Sequence, residues 1–167
     1  MGKPKIIAIA AMDTKRVIGN KGKLCWHLPQ DMKRFSELTK GHTVIMGRKT
    51  YDSLPEKFKP LPNRKNIVIS QSLKNIPKHP EVSVCNSFLK ALREIENGVI
   101  EMQGSIIWVI GGEQIYRASL QHWEEVYLTI VKGEHQGDVF FPDFESDFIE
   151  STREDREGFS YVNYVHK

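Results

Sequence analysis

The run Trp26-His27-Leu28-Pro29-Gln30-Asp31-Met32-Lys33-Arg34-Phe35 places one carboxylate among apolar and aromatic side chains. Pro29 marks a helix start. Asp31 and Phe35 then lie one turn apart on a single face, which Leu38 continues. A carboxylate on a face that enters a core costs free energy unless something polar pairs with it. Two partners suit it. One is the set of free backbone N–H groups in a first helical turn. The other is a ligand: a flat, cationic or hydrogen-bond-donating ring that also stacks on Phe35. On this segment alone the first is the commoner arrangement. The rest of the chain favours the second.

Two further stretches suit phosphate. Met46-Gly47-Arg48-Lys49-Thr50 reads as a strand turning into a helix. A helix N-terminus presents free N–H groups and a positive dipole end, and Arg48, Lys49 and Thr50 add charge and donors. The segment looks like the end of a P-loop, but His42 stands where the upstream glycine is required, so an NTPase is rejected. Ile110-Gly111-Gly112-Glu113-Gln114-Ile115-Tyr116 is the second such junction. Paired glycines let backbone approach a ligand closely, or simply make a tight turn. No G-x-G-x-x-G run occurs, so a standard Rossmann site is not supported. Two phosphate-friendly junctions at one sheet edge suit a long anionic ligand such as a dinucleotide, since open α/β sheets bind ligands beyond the carboxyl ends of their strands. Arg64 has the rigid fork that suits a carboxylate, although taken alone it reads as a surface charge. His27, His42, His79, His122, His135 and His166 are scattered without metal-ligand spacing, and no metal site is expected. No G-x-S-x-G nucleophile elbow is present.

The elements that must hold these residues are legible as apolar runs. Lys5–Met12 reads as a buried strand and Asp13–Lys23 as a long mobile loop with Gly19 and Gly22. A helix is expected from Pro29 to about Lys40, stopped by Gly41. Strands follow at His42–Met46, Lys65–Ser70, Val82–Val84, Ser105–Ile110 (placed near the sheet centre) and Val126–Val131. Short helices are expected over Arg48–Leu54 and from Glu113 to about Leu120. Another, capped by Asn86 or Ser87, presents Phe88, Leu89, Leu92 and Ile95 on its apolar face and ends at Gly98. Pro55–Pro62 reads as a proline-punctuated loop. Phe140, Phe141 and Phe144 read as core, and strands near Val139–Phe141 and Tyr161–Val165 close the chain. Alternating strands and helices mean an α/β sheet, parallel at first, with an antiparallel hairpin at one edge.

Bulk properties allow one domain, residues 1–167, with a substantial core. Hydrophobic residues are 40%, charged residues 27% and net charge +3, with dispersed Lys and Arg, so no nucleic-acid footprint is expected. No apolar run is long enough to cross a bilayer, and the first residues lack a signal-peptide core. Two cysteines, Cys25 and Cys85, make no disulfide framework, so a cytoplasmic location is expected.

Several motifs occur together in order. They are Ile9-Ala10-Ala11-Met12, Arg16-Val17-Ile18-Gly19, Trp26-His27-Leu28-Pro29-Gln30-Asp31 and Val44-Ile45-Met46-Gly47-Arg48-Lys49-Thr50. Then come Pro60-Leu61-Pro62-Asn63-Arg64-Lys65-Asn66-Ile67-Val68, Val109-Ile110-Gly111-Gly112, Tyr127-Leu128-Thr129 and Gly137-Asp138-Val139-Phe140-Phe141-Pro142. By them the chain resembles bacterial-type dihydrofolate reductases over nearly its whole length. The resemblance implies a central eight-stranded, mostly parallel sheet with flanking helices and an antiparallel C-terminal strand. It implies NADPH-dependent reduction of 7,8-dihydrofolate to tetrahydrofolate, with hydride passing to pterin C6 and a proton to N5. It also implies diaminopyrimidine antifolates as ligands and a monomer that binds neither nucleic acid nor membrane.

Residue by residue, the resemblance puts Asp31, Leu24, Trp26 and Thr129 at the chemistry. Asp31 pairs with the pterin 2-amino group and N3, Thr129 supports that edge, and water admitted near Leu24 protonates N5. Ile9, Ala10, Met32, Phe35, Leu54, Leu61, Ile110 and Tyr116 line the substrate pocket, and Arg64 grips the glutamate α-carboxylate. Ala11 and the loop Val17, Ile18, Gly19, Asn20, Lys21, Gly22, Lys23 and Leu24 cover the nicotinamide. Lys49 and Thr50, beside Gly47, hold cofactor phosphates, and Arg48, Ser70 and Gln71 surround the adenosine 2′-phosphate. Ile110, Gly111, Gly112, Glu113, Gln114, Ile115, Tyr116 and Ala118 wrap the pyrophosphate. Family members have a cis peptide between the paired glycines. The chain departs from the common pattern at Cys25 (usually proline), at Asn63 (usually glycine), in the longer Pro55–Lys59 loop and at Gln71. Two other readings compete: a related-fold pyrimidine reductase of riboflavin synthesis, and a catalytically idle binding protein.

Overall fold

The computed structural model describes residues 3–19, 28–72 and 76–167. Its strands are β1 (Lys5–Asp13), β2 (Val17–Gly19), β3 (Thr43–Gly47), β4 (Lys65–Ile69) and β5 (Val82–Cys85). They continue as β6 (Ile106–Val109), β7 (Glu125–Val131), β8 (Val139–Phe140), β9 (Phe148–Asp155) and β10 (Phe159–His166). The helices are α1 (Pro29–Thr39), α2 (Arg48–Ser53), α3 (Phe88–Glu96) and α4 (Glu113–Ser119). Eight strands form one sheet in the order β5-β4-β3-β6-β1-β7-β10-β9. Every pairing from β5 to β7 is parallel, and β10 runs antiparallel to both β7 and β9. The expected sheet, with β6 near its centre and a hairpin at one edge, is the observed one.

The period of two along each strand sorts side chains onto two faces. Ile7, Ile9, Val44, Met46, Val68 and Trp108 form one apolar cluster, against which Phe35 and Leu38 of α1 and Leu54 pack. Their neighbours Ile6, Ala8, Ile45, Ile67, Ile107 and Val109 join the other, with Phe88, Ala91, Leu92 and Ile95 of α3 and Ile115 and Tyr116 of α4. Because both faces are covered, the strands read as continuous apolar runs rather than alternating ones.

Four expectations are corrected. The loop after β1 contains a short strand: β2 pairs with β8 in a separate two-stranded ribbon. The edge hairpin is β9–β10, and Phe148–Asp155 carries no apolar alternation because only Phe148 is buried. On α3, Leu89 is exposed and Ala91 takes the buried place. Ser87, whose hydroxyl accepts from the Lys90 N–H, fixes where the first turn begins. Phe140 is exposed while Phe141 and Phe144 are buried, as successive residues of a strand face opposite ways. Gly41 and Asn63 adopt the left-handed conformation at φ +82° and +59°, so both turns close as their residue types permit.

Candidate active site

The parallel order β3-β6-β1-β7 brings the carboxyl ends of four strands side by side. Both glycine junctions open there. The Gly47 N–H donates to the Gly111 carbonyl at 2.8 Å, and the Ile110 N–H to the Ile45 carbonyl at 3.0 Å. A Cβ on Gly47 would come within 3.2 Å of Ile115 Cγ1 and 3.8 Å of the Gly112 nitrogen. A Cβ on Gly112 would sit 3.7 Å from Thr50 Oγ1. Gly111 has φ +120°, and the Gly111–Gly112 peptide is cis. Bare backbone from two junctions, flanked by Arg48, Lys49 and Thr50, is a cradle that suits a phosphorylated ligand. Arg48 pairs with Asp52 at 3.0 Å, and Lys49 is exposed. Ser70 is buried, its hydroxyl donating to the Ser72 carbonyl at 2.6 Å, and Gln71 is exposed. Glu113 accepts the Phe140 N–H at 2.8 Å, tying α4 to the β2–β8 ribbon that carries Val17, Ile18 and Gly19. Gln114 and Ala118 are exposed on α4.

Asp31 sits in the first turn of α1 and reaches across to β7. It accepts a hydrogen bond from the Thr129 hydroxyl. Thr129 is registered opposite Ala11 on β1 and Tyr161 on β10, which fixes its hydroxyl at the end of the sheet. Burial pushes the Asp31 carboxyl above the ordinary carboxylate range; the bond from Thr129 and the charge of Arg34 only partly oppose it. Ile9, Phe35, Leu54, Leu61 and Ile110 fall in one apolar cluster beside it. Ala10 and Ala11 are half-buried at the end of β1, and Met32 is exposed at 56%. Tyr116 is fully buried and donates its hydroxyl to the Ile9 carbonyl at 2.7 Å. Burial, then the Asp31 charge, push that hydroxyl well above its ordinary pKa, so it stays a donor.

Arg64 is not a surface charge: it is 4% exposed. Its Nε donates to the Pro62 carbonyl and its Nη1 to Thr39 Oγ1, each at 2.9 Å. No carboxylate bridges it among the described residues. Burial alone lowers its pKa. A buried cation without a counter-ion is costly, and a ligand carboxylate removes the cost.

Three contributors escaped the sequence reading. Asn66, 0% exposed inside an apolar strand, grips the preceding turn. It accepts from the Leu61 N–H at 3.0 Å and donates to the Leu61 and Arg64 carbonyls at 3.0 and 3.1 Å. The signal was there: an amide in the run Lys65-Asn66-Ile67-Val68-Ile69 needs partners. Asp13, also 0% exposed, holds the start of the ribbon. Arg34 packs on β10. Asn20, Lys21, Gly22, Lys23, Leu24, Cys25 and Trp26 lie outside the described residues. No metal-binding cluster occurs among the described residues, and no helix there is long and apolar enough to cross a membrane.

A family model described as dihydrofolate reductase matches residues 5–165. The chain belongs to the dihydrofolate reductase family. It is 35% identical over 165 residues to dihydrofolate reductase HdrB of Haloferax volcanii, covering 98% of this chain and 84% of that one. It is 40% identical over 139 residues to dihydrofolate reductase of Bacillus subtilis, covering 82% and 75%. It is 35% identical over 153 residues to that of Aedes albopictus, covering 86% and 82%. As a member of the family the protein is an oxidoreductase that uses a nicotinamide cofactor.

Proposed function

We propose that this chain reduces 7,8-dihydrofolate to 5,6,7,8-tetrahydrofolate with NADPH. The observation that carries the reading is that a withdrawn carboxyl group and a buried guanidinium both adjoin the apolar cluster that contains Phe35. The carboxyl is that of Asp31, bonded to Thr129 and raised in pKa. The guanidinium is that of Arg64, buried without a carboxylate among the described residues and 6.0 Å from the Phe35 ring. A dihydrofolate has donors at its pterin edge and a carboxylate at its glutamate end, joined by an apolar benzoyl group. It matches Asp31, Phe35 and Arg64 in that order.

The cradle of Gly47, Arg48, Lys49, Thr50, Gly111 and Gly112 supports a dinucleotide with phosphates, since both backbones approach where side chains are missing. Arg48, Ser70 and Gln71 would meet the 2′-phosphate and Lys49 and Thr50 the other phosphates, and the charges of Arg48 and Lys49 favour NADPH over NADH. When bound, NADPH supplies the hydride that pterin C6 accepts. Asp31 orients the pterin by its 2-amino group and N3. Ile9, Leu54, Leu61 and Ile110 exclude water from the ring. A proton arrives at N5 from water, because Asp31 addresses the opposite edge of the ring. The reaction consumes that proton, so its rate falls as pH rises through the apparent pKa of the site. A monomer acting in the cytoplasm fits the reading, and diaminopyrimidine antifolates would pair with Asp31.

The test is loss of NADPH absorbance on adding dihydrofolate to folded protein, with NADH alongside. Rapid loss with NADPH and slow loss with NADH is expected. No loss with either cofactor would return the chain to an idle binder or a pyrimidine reductase. The pyrimidine reductase reading has no use for the Asp31–Thr129 pair.

A further inference from the structure

Arg34 lies one turn beyond Asp31 on α1, three residues along, so the two share a side of the helix. They make no ion pair. The guanidinium turns instead onto β10 and β7, its carbon 4.1 Å from the centre of the Tyr161 ring on β10 and 5.9 Å from that of Tyr127 on β7. Nη2 donates to Asn163 Oδ1 at 3.3 Å. No carboxylate bridges Arg34 among the described residues, and the side chain is half-buried. Tyr161 is registered opposite Thr129, whose hydroxyl bonds Asp31. The contact therefore returns to the same carboxylate by a second route.

We propose that Arg34 is a positioning residue for the Asp31 site. Stacked on Tyr161 and bonded to Asn163, it pins the first turns of α1 to β10 and fixes one positive charge beside Asp31. The proposal rests on the reading that Asp31 serves folate reduction, and deepens it by naming what sets that carboxylate's place and charge.

Two features separate this from ordinary helix packing. An apolar side chain at position 34 would cover the Tyr161 ring as well as a guanidinium does, with no charge to desolvate. The charge is also the one that reaches Asp31. Among the described residues, the ionisable groups that interact with Asp31 are Arg34 on its own helix, Tyr116 on α4 and Tyr161 on β10. Both tyrosines have raised pKa values and are neutral at working pH, so Arg34 supplies the permanent charge. Arg156 also approaches the Tyr161 ring, at 5.7 Å, but it pairs with Glu154 at 3.1 Å. A guanidinium keeps its proton throughout the working range, so the field it gives is constant.

The experiment compares the parent protein with R34M and R34K. Three quantities are read: the pH at which kcat/KM falls by half, the carbon NMR titration of the Asp31 carboxyl, and Tm. R34M keeps a flexible apolar cover for Tyr161 and removes the charge. It should move both the falling limb and the Asp31 titration to higher pH together, by on the order of half a unit. That is less than the shift of 1–3 units from a direct ion pair, because none is made here. R34K keeps charge without the planar face, and should restore the titration while leaving Tm lowered. Superimposable titrations in the parent and R34M would reduce Arg34 to a packing strut and overturn the proposal. Should R34M not fold, R34Q makes the same comparison, its amide still able to donate to Asn163. The NMR arm needs no turnover. An inactive parent would sink the functional reading, while superimposable titrations in an active parent and R34M would sink only the role given to Arg34.

Discussion

Asp13 and Asp31 are two carboxylates withdrawn from water at the same end of the sheet, and they titrate in opposite directions. Asp13 is the more deeply buried, at 0% exposure. Burial pushes its pKa up, yet the bonds it accepts outweigh that and hold it below the ordinary range. The Lys15 and Val17 N–H groups donate to Oδ1 at 2.9 Å each, and the His135 N–H to Oδ2 at 2.7 Å. The His135 ring nitrogen lies 3.2 Å from the same oxygen. Asp31 is less buried but has one described side-chain donor, Thr129, and its pKa rises. At Asp13 the bonds it accepts outweigh burial, and at Asp31 burial outweighs the one bond and the Arg34 charge. Asp13 uses its acceptor capacity to join the β1–β2 turn to the loop after β7. Among the described residues Asp31 accepts a side-chain bond from Thr129 alone.

The largest test of this contrast is Asp31→Asn. Turnover should fall by on the order of 10²–10⁴, as when an acid–base group is lost, with the far-ultraviolet spectrum unchanged. Turnover near the parent's at neutral pH would remove Asp31 from the chemistry. Asp13→Ala should do the reverse. It strands the Val17 and His135 N–H groups, at about 1–3 kcal/mol each. Calorimetry should then find Tm lowered by roughly 5–15 °C for a chain of this size. An unchanged Tm would show that water satisfies those donors as well as the carboxylate does.

Arg64 extends the comparison to a cation, for like Asp31 it is withdrawn from water. Arg64→Leu should raise the dissociation constant for folate by roughly ten- to a hundredfold, the weight of a charge-assisted bond. Equal affinity in a fluorescence titration would refute its role. Thr129→Val removes the Asp31 donor while keeping shape, so the Asp31 pKa should climb further. The falling limb of the pH–rate profile should follow it upward, while the plateau below that limb drops about tenfold because the carboxyl loses the bond that orients it.

The smallest effect is on stability. A carboxyl whose folded pKa is raised destabilises the fold when ionised. Asp31→Asn should therefore resist urea better than the parent at pH 7. The gain should shrink as pH falls through the raised folded pKa of Asp31 and vanish below about 4, the unfolded value. Asp13 behaves oppositely. Its stabilisation is complete above about 4 and is lost as pH falls through its lowered folded pKa. An Asp31→Asn gain independent of pH would mean that ionisation is not its cause.

What the sequence disclosed and what it hid divide along physical lines. Buried strands such as Ile106–Val109 announced themselves because both faces are covered. The glycine junctions and Asp31 were legible as residue types at fixed places, and Thr129 was named only through the family resemblance. The strand β9 was hidden because an edge strand with exposed faces has no apolar period to read. Arg64 alone read as exposed, since only the turn through Asn63 and the clasp of Asn66 draw it under Thr39. Asp13 was assigned to a loop because its donors Val17 and His135 lie 4 and 122 positions away, and backbone N–H groups leave no mark in a sequence. The place of Leu89 failed for a smaller reason. Residues 88, 91, 92 and 95 keep helical spacing, but alanine at 91 carries too little side chain to draw notice.

The sheet ends at β9, seven of whose eight residues are exposed. Glu150 and Arg153 pair there at 2.8 Å, and Arg153 and Asp155 at 3.6 Å. The opposite edge, β5, is four residues long. A strand from another molecule would have to strip water from paired charges at one edge, and would find few backbone partners at the other. Both edges therefore disfavour the addition of a strand from another molecule, the step by which an open sheet templates fibrils.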